Sequence, residues 1–334
     1  MANPVLVEVL RGENVESRHR GAVAVYDADG RAVLEIGETA RPVFPRSAVK
    51  AIQALPLVES GAADAFGFGD RELALACASH NGEAMHVELA QAMLAKAGLE
   101  ETALECGSHW PYLEAATVEL ARAGRSPHQL HNNCSGKHAG FLCTCRHAGL
   151  THRGYVEAGH EFQGMLRDTL QQVTGAAHGA DNLGIDGCSI PTYAVPLKNL
   201  ALGFARMATG TGLGPARAAA ARRLMEACMR EPFYVAGTGR FDTVLMEKTR
   251  ERIFLKIGAE GVYCAAVPEL GLGIALKCDD GAGRAAEVMV AAVLARLLRE
   301  DATLAAQLET LADQPIINRR GLTVGVVRPT AQLT

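Results

Sequence analysis

Pro45-Arg46-Ser47-Ala48-Val49-Lys50 sets a hydroxyl and an amine three residues apart, directly after a proline and at the start of an apolar run with helical spacing. On a helix, positions i and i+3 share a face with Cβ atoms ~5–6 Å apart, so the Lys50 amine can reach the Ser47 oxygen. A Ser-x-x-Lys pair of this kind works as nucleophile and base only if the lysine is neutral, because an ammonium has no lone pair, and that requires a partly buried pocket. Read alone, the same stretch is far more often a serine near a helix N-cap followed one turn later by a solvated lysine.

The surrounding chain narrows what this stretch belongs to. With 334 residues, a large core is available in a single domain spanning residues 1–334. A net charge of −4 without a basic block argues against nucleic acid as a partner. The N-terminus meets Glu8 before an apolar signal region can form, and the most apolar helical run, residues 285–298, carries Glu287 and Arg296 and is too short to span a bilayer. Nine cysteines, an odd number with no secretory signal, predict reduced thiols in a cytoplasmic protein, most of them small core residues.

Working outward, residues 4–10, 21–27 and 32–36 read as Val-rich strands, with a turn at Asp27-Ala28-Asp29-Gly30, which predicts an N-terminal antiparallel meander. A helix is predicted over 47–58. Residues 71–78 form an apolar segment that ends at Ser79-His80-Asn81-Gly82, followed by helices over 83–97, 114–123, 134–147, 157–173, 197–207 and 215–229. From Thr243 the pattern changes to strands, over 253–257, 261–266 and 271–277. A long helix over 284–298, a turn or two at 303–311 and a last strand over 322–327 complete the chain. Strands, many helices, then strands again predict an α+β fold. Its antiparallel sheet is built from both chain ends and flanked by helices, with a helical subdomain of roughly residues 80–230 inserted between the sheet segments.

Three further groupings carry chemistry. Ser79-His80-Asn81-Gly82 puts polar groups at the end of an apolar segment, as a solvent-facing cap or as part of a pocket. Cys134-x-x-Lys137 with Cys188 in a Gly-containing turn offers two thiolates and an amine, a donor set for zinc with one open position. Lysine must first lose a proton to bind a metal, and both cysteines also read as plain buried residues. Lys256, at a strand end before Ile257-Gly258-Ala259-Glu260, is either solvated or a second amine near the pocket.

Five segments occur in register: R-S-A-V-K from Arg46, C-A-S-H-N-G-E from Cys77, H-N-N-C-S-G-K-H-A-G from His131, D-G-C-S-I-P-T-Y from Asp186, and K-I-G-A-E-G-V from Lys256. Together they resemble the Rhizobium etli-type L-asparaginases over about residues 5–325. The resemblance implies a serine β-lactamase-like and glutaminase-like fold, two Ser-Lys pairs (Ser47 with Lys50, Ser79 with Lys256), and Zn2+ held by Cys134, Lys137 and Cys188. It also implies a substrate pocket that includes Arg46, His80, Asn133 and Asp186, L-asparagine as substrate, and a homodimer. On this reading Ser47 attacks the side-chain amide with Lys50 as base while Ser79 and Lys256 assist, and the two serines can exchange roles. The rival readings are a glutaminase, a β-lactam-interacting enzyme, or a zinc-dependent amino-acid-binding sensor. The Ser-Asp-Asn and Lys-Thr-Gly companions of β-lactamases are absent.

Overall fold

The computed structural model describes residues 2–334. An eight-stranded antiparallel sheet forms its centre: β1 (Val5–Arg11), β2 (Asn14–Asp27), β3 (Ala32–Ile36), β4 (Phe254–Gly258), β5 (Val262–Val267), β6 (Leu272–Cys278), β7 (Gln314–Ile317) and β8 (Thr323–Pro329). The order is β7-β8-β1-β2-β6-β5-β4, with β3 also pairing to β2. The strand β2 joins the two ends of the chain. Its first half pairs with β1, and its second half pairs with β6 in a register that runs from Leu272 opposite Asp27 to Cys278 opposite Gly21. The sheet expected from both chain ends is therefore present.

Helices cover both faces. The Leu197–Thr209 helix packs on β2, β5 and β6, and the Gly283–Leu297 helix packs on β1, β5, β6 and β8. Every residue of β5 is buried as a result, which is why this antiparallel strand reads as a continuous apolar run rather than an alternation. Gly273 permits the close approach on one side: a Cβ there would meet the Ala201 carbonyl oxygen at 2.0 Å. The other helices, from Asp70–Ala76 to Pro215–Arg230, lie between the two strand groups in sequence.

The differences from the sequence reading are local. The helix expected over 47–58 is broken into a 3-10 turn, Arg46–Val49, and two short helices, Lys50–Gln53 and Leu55–Glu59. Pro56 lacks the N–H that a continuous helix would need there. The change to strands does not begin at Thr243, because Phe241–Thr249 is a helix. Strand β7 was not anticipated, since Pro315 lowers the strand signal, yet as a sheet-edge strand it tolerates a proline. All nine cysteines are free and buried, and no helix among the described residues is long and apolar enough to cross a membrane.

Candidate active site

Three segments that are far apart in sequence meet at one hydroxyl. Ser79 follows the Asp70–Ala76 helix, and its N–H donates to the Val235 carbonyl at 2.9 Å. Lys256 comes from the edge strand β4, and Lys50 from the short helix after the Arg46–Val49 turn. Both lysine Nζ atoms lie 3.0 Å from Ser79 Oγ. The exposures of Ser79, Lys50 and Lys256 are 5%, 1% and 0%, so both amines are withdrawn from water.

The partners of the two amines differ. Lys50 Nζ has three acceptors, the Ala78 carbonyl, Ser79 Oγ and Cys134 Sγ at 3.1 Å, which match the three donors of an ammonium. Lys256 Nζ has two, Ser79 Oγ and the Ile257 carbonyl at 2.9 Å. Burial is the largest influence on Lys256 and outweighs the Asp242 carboxylate. With the nearby cations of Lys50 and Arg240, it brings the pKa down from 10.5 to about 7. A neutral Lys256 can accept the Ser79 proton while Lys50 donates to the same oxygen.

Lys50 and Ser47 are joined through the backbone, the Lys50 N–H donating to the Ser47 carbonyl. Among the described residues no side-chain hydrogen bond joins the Ser47 hydroxyl to either lysine, and the Lys50 amine turns to Ser79. The physical reason is partner supply, since a buried amine needs several acceptors and the end of the Asp70–Ala76 helix provides them. The turn bearing Ser47 is nonetheless pressed against β4. A Cβ at Gly258 would meet the Pro45 carbonyl oxygen at 2.4 Å, so only glycine lets the turn sit beside the strand that carries Lys256.

Arg46 in that turn has φ +51°, a left-handed conformation uncommon for a residue with a Cβ. Its guanidinium donates to Asp186 Oδ1 from Nε at 2.7 Å and from Nη2 at 2.6 Å. Burial pushes Asp186 up, but Lys137, the Arg46 guanidinium and the Gly187 N–H outweigh it and hold the carboxyl below its usual range. Arg46 also lines a cleft of about 520 Å³ with Pro42, Phe44, Ile185 and Lys277. The lysine-flanked serine lies outside the lining of that cleft.

Cys134 opens the Ser135–His147 helix, Lys137 lies one turn into it, and Cys188 sits in the turn between the short strands Leu183–Ile185 and Pro191–Tyr193, next to Ser189 with φ +75°. Lys137 Nζ is 3.1 Å from Cys188 Sγ. Cys134 and Cys188 interact closely: the Cys134 thiol and the Lys137 cation bring Cys188 down to about 5 against burial, whereas the Cys188 sulfur and burial push Cys134 up to about 12. The three donors expected to hold zinc are thus gathered and buried. Two soft sulfurs and an amine suit zinc once the thiols and Lys137 release their protons.

His80 and Asn133 brace this arrangement. The Gly82 N–H donates to His80 Nδ1 at 3.1 Å, so the ring proton is on Nε2, 2.9 Å from Ser135 Oγ. Burial, reinforced by neighbouring cations, keeps His80 neutral by lowering its pKa well below the usual value. Asn133 Oδ1 lies 3.3 Å from His109 Nε2 and 3.5 Å from Cys134 Sγ.

Sequence reasoning missed Asp242 and Arg240. The buried Asp242 carboxylate accepts the Ile257 N–H at 2.8 Å and the Tyr263 hydroxyl at 2.9 Å, which fixes the strand beside Lys256. Arg240 donates to Asn81 Oδ1 at 3.2 Å. Neither belongs to a motif with characteristic spacing; the only available signal was a charged pair, Arg240 and Asp242, after Gly237-Thr238-Gly239.

Comparison with known proteins bears on the chain as a whole. The L-asparaginase II family profile matches residues 7–329. No curated protein sequence matches. Among solved structures, the chain is similar to Mglu, with 15% identity and a TM-score of 0.46, covering 85% of this chain and 67% of that one. It is also similar to a β-lactamase from Mycobacterium bovis, with 14% identity and a TM-score of 0.40, covering 78% of this chain and 88% of that one.

Proposed function

The chain belongs to the L-asparaginase II family, an amidohydrolase family, and from that premise we propose that it hydrolyses L-asparagine to L-aspartate and ammonia through a serine acyl-enzyme. The observation that carries the reading is the position of Ser79 Oγ, 3.0 Å from two buried lysine amines. Ser79 attacks the side-chain amide carbon while neutral Lys256 takes its proton. Lys50 donates to the Ser79 oxygen and offsets the negative charge that develops beside it. As the tetrahedral adduct collapses, Lys256 returns the proton to the departing amide nitrogen, and ammonia leaves. Water, deprotonated by the same lysine, then attacks the β-acyl carbon and releases aspartate.

A zwitterionic amino acid needs one cationic and one anionic contact. Arg46 and Asp186, partly accessible in their ion pair, supply them, the guanidinium for the α-carboxylate and Asp186 for the α-ammonium. Zinc bound by Cys134, Lys137 and Cys188 would supply a Lewis-acidic point that orients the substrate's polar α-groups. A homodimer is part of the same proposal.

Ser47 stands as the second candidate nucleophile, because its partly exposed hydroxyl has no hydrogen-bond partner among the described residues whereas Ser79 is nearly buried. Mass spectrometry of substrate-quenched protein separates them. A covalent aspartyl adduct on Ser47→Ala that is absent from Ser79→Ala is expected, and the reverse pattern transfers the role to Ser47. Ammonia release from asparagine, glutamine and a β-lactam under one condition tests the substrate class. Turnover of glutamine or the β-lactam above that of asparagine selects a rival hydrolase, and binding without ammonia release selects the sensor.

A further inference from the structure

Away from the lysine-flanked serine, three metal-ligating side chains converge where the two halves of the chain are joined. His19 lies on β2, Cys278 ends β6, and Asp280 is in the turn that leads into the Gly283–Leu297 helix. Their ligand atoms all lie within 4.8 Å of one another. The Asp280 carboxylate sits between the other two, with Oδ2 2.6 Å from His19 Nδ1 and Oδ1 2.9 Å from Cys278 Sγ. We propose that His19, Cys278 and Asp280 form a zinc site that fastens β2 to the end of β6.

The donor set carries this. One nitrogen, one sulfur and one carboxylate oxygen, with the fourth position left to water, is a zinc-type combination, and the thiolate disfavours magnesium or calcium. In a tetrahedral site with bonds of ~2.0–2.3 Å, ligand atoms lie roughly 3.3–3.8 Å apart. The two Asp280 contacts, at 2.6 and 2.9 Å, reach this by a small outward shift of Asp280, whose side chain is about half exposed, and the buried His19 and Cys278 donors lie within 4.8 Å of each other. Asp280 Oδ1 also accepts the Ala282 N–H at 3.0 Å, and the turn has backbone bonds besides. The Asp279 N–H bonds to the Arg20 carbonyl at 2.9 Å, and Gly281 N–H to the Cys278 carbonyl at 3.2 Å. A thiol is also a poor choice for a purely hydrogen-bonding role beside a carboxylate, since S–H is a weak donor.

Binding replaces the Cys278 thiol proton, which leaves to solvent, and moves the His19 proton from Nδ1 to Nε2. The new Nε2–H then faces the Arg284 guanidinium, at present 3.5 Å from Nε2, and a guanidinium cannot accept a hydrogen bond. Arg284 is exposed and free to turn away. It opposes the metal, and Arg284→Gln, which adds an acceptor, should tighten binding several-fold.

Cobalt(II) titration of the chelator-stripped full-length protein tests the site through the near-ultraviolet thiolate-to-cobalt band, with zinc stoichiometry measured separately. The Cys134→Ser/Cys188→Ser double variant should keep one cobalt equivalent and its thiolate band. Adding Cys278→Ser should remove the band, and Asp280→Asn should weaken binding more than tenfold. If Cys278→Ser does not fold, the Asp280→Asn and Arg284→Gln affinities decide the matter. A double variant with no thiolate band, or a band unchanged by Cys278→Ser, overturns the proposal. A wild-type protein whose single equivalent ignores Cys134→Ser/Cys188→Ser but is lost with Cys278→Ser keeps this site and removes zinc from the Cys134 cluster.

Discussion

Replacing Lys256 with methionine should cost activity and raise stability, with both effects set by the same buried amine. Methionine matches the length of the lysine stem but cannot accept a proton, so turnover should fall by about 10²–10⁴, the usual contribution of a positioned base. The stability effect follows from linkage. A lysine whose pKa falls from 10.5 in the unfolded chain to about 7 in the folded protein binds its proton more weakly when folded. Below pH 7 both states carry the proton and the folded state bears the full penalty, about 5 kcal/mol at ~1.4 kcal/mol per pH unit. Between pH 7 and 10.5 only the unfolded chain holds the proton, so wild-type stability rises with pH until the penalty is gone. Lys256→Met should therefore be more stable than wild type at pH 6, by up to about 5 kcal/mol, and the advantage should shrink steadily towards pH 10. Urea unfolding of both proteins at pH 6 and pH 9.5 measures it. A stability difference that is the same at both pH values, or a variant less stable at pH 6, would refute a buried, deprotonatable Lys256.

The remaining expectations concern the pH profile, the substrate clamp, the turn and the metal. With Lys256 as base, kcat/KM should drop tenfold per pH unit below about 7, and a profile flat from pH 5 to 8 would exclude that role. Arg46→Gln removes a charge-assisted contact worth ~1.5–3 kcal/mol, so KM for asparagine should rise about 10–100-fold with a smaller change in kcat; an unchanged KM would remove Arg46 from substrate binding. Gly258→Ala places a methyl against the Pro45 carbonyl and should destabilise the fold by about 1–3 kcal/mol, read as a lower urea midpoint, together with lost turnover as the Ser47 turn is pushed off β4. Chelation should raise KM more than it lowers kcat, and full affinity and turnover after verified zinc removal would sever zinc from the reaction.

Much of the fold was legible because the periodicities were clean. The Val-rich N-terminal strands and the alternating segments after residue 250 carried the sheet, and the continuous apolar character of β5 reflects burial on both faces. The breaks in the helix near Pro56 and the edge strand through Pro315 were less legible, because each depends on how neighbouring segments supply or omit hydrogen bonds. At the site, the residue types were visible but the pairing was not. Spacing within one segment offered Lys50 to Ser47, whereas the structure offers it to Ser79 through partners from residues 78 and 134. Asp242, which holds β4 in place through Ile257 and Tyr263, had no local pattern at all.

That contrast explains why one serine is met by two lysines. A single buried lysine serves either as a base when neutral or as a donor when charged, and one amine cannot do both for the same oxygen at once. Two amines at equal distance from Ser79 divide the work if their surroundings differ. Lys50 has three acceptors, including a cysteine sulfur, whereas Lys256 has two and sits where burial and the Lys50 cation depress its pKa. In the proposed mechanism each lysine fixes the other's role: the Lys50 amine lowers the Lys256 pKa, and a neutral Lys256 spares the pocket a second buried charge. Replacing Lys50 with methionine should then do more than remove a donor. It should raise the Lys256 pKa and move the acid limb of kcat/KM to higher pH, a shift that loss of a hydrogen bond alone would not produce.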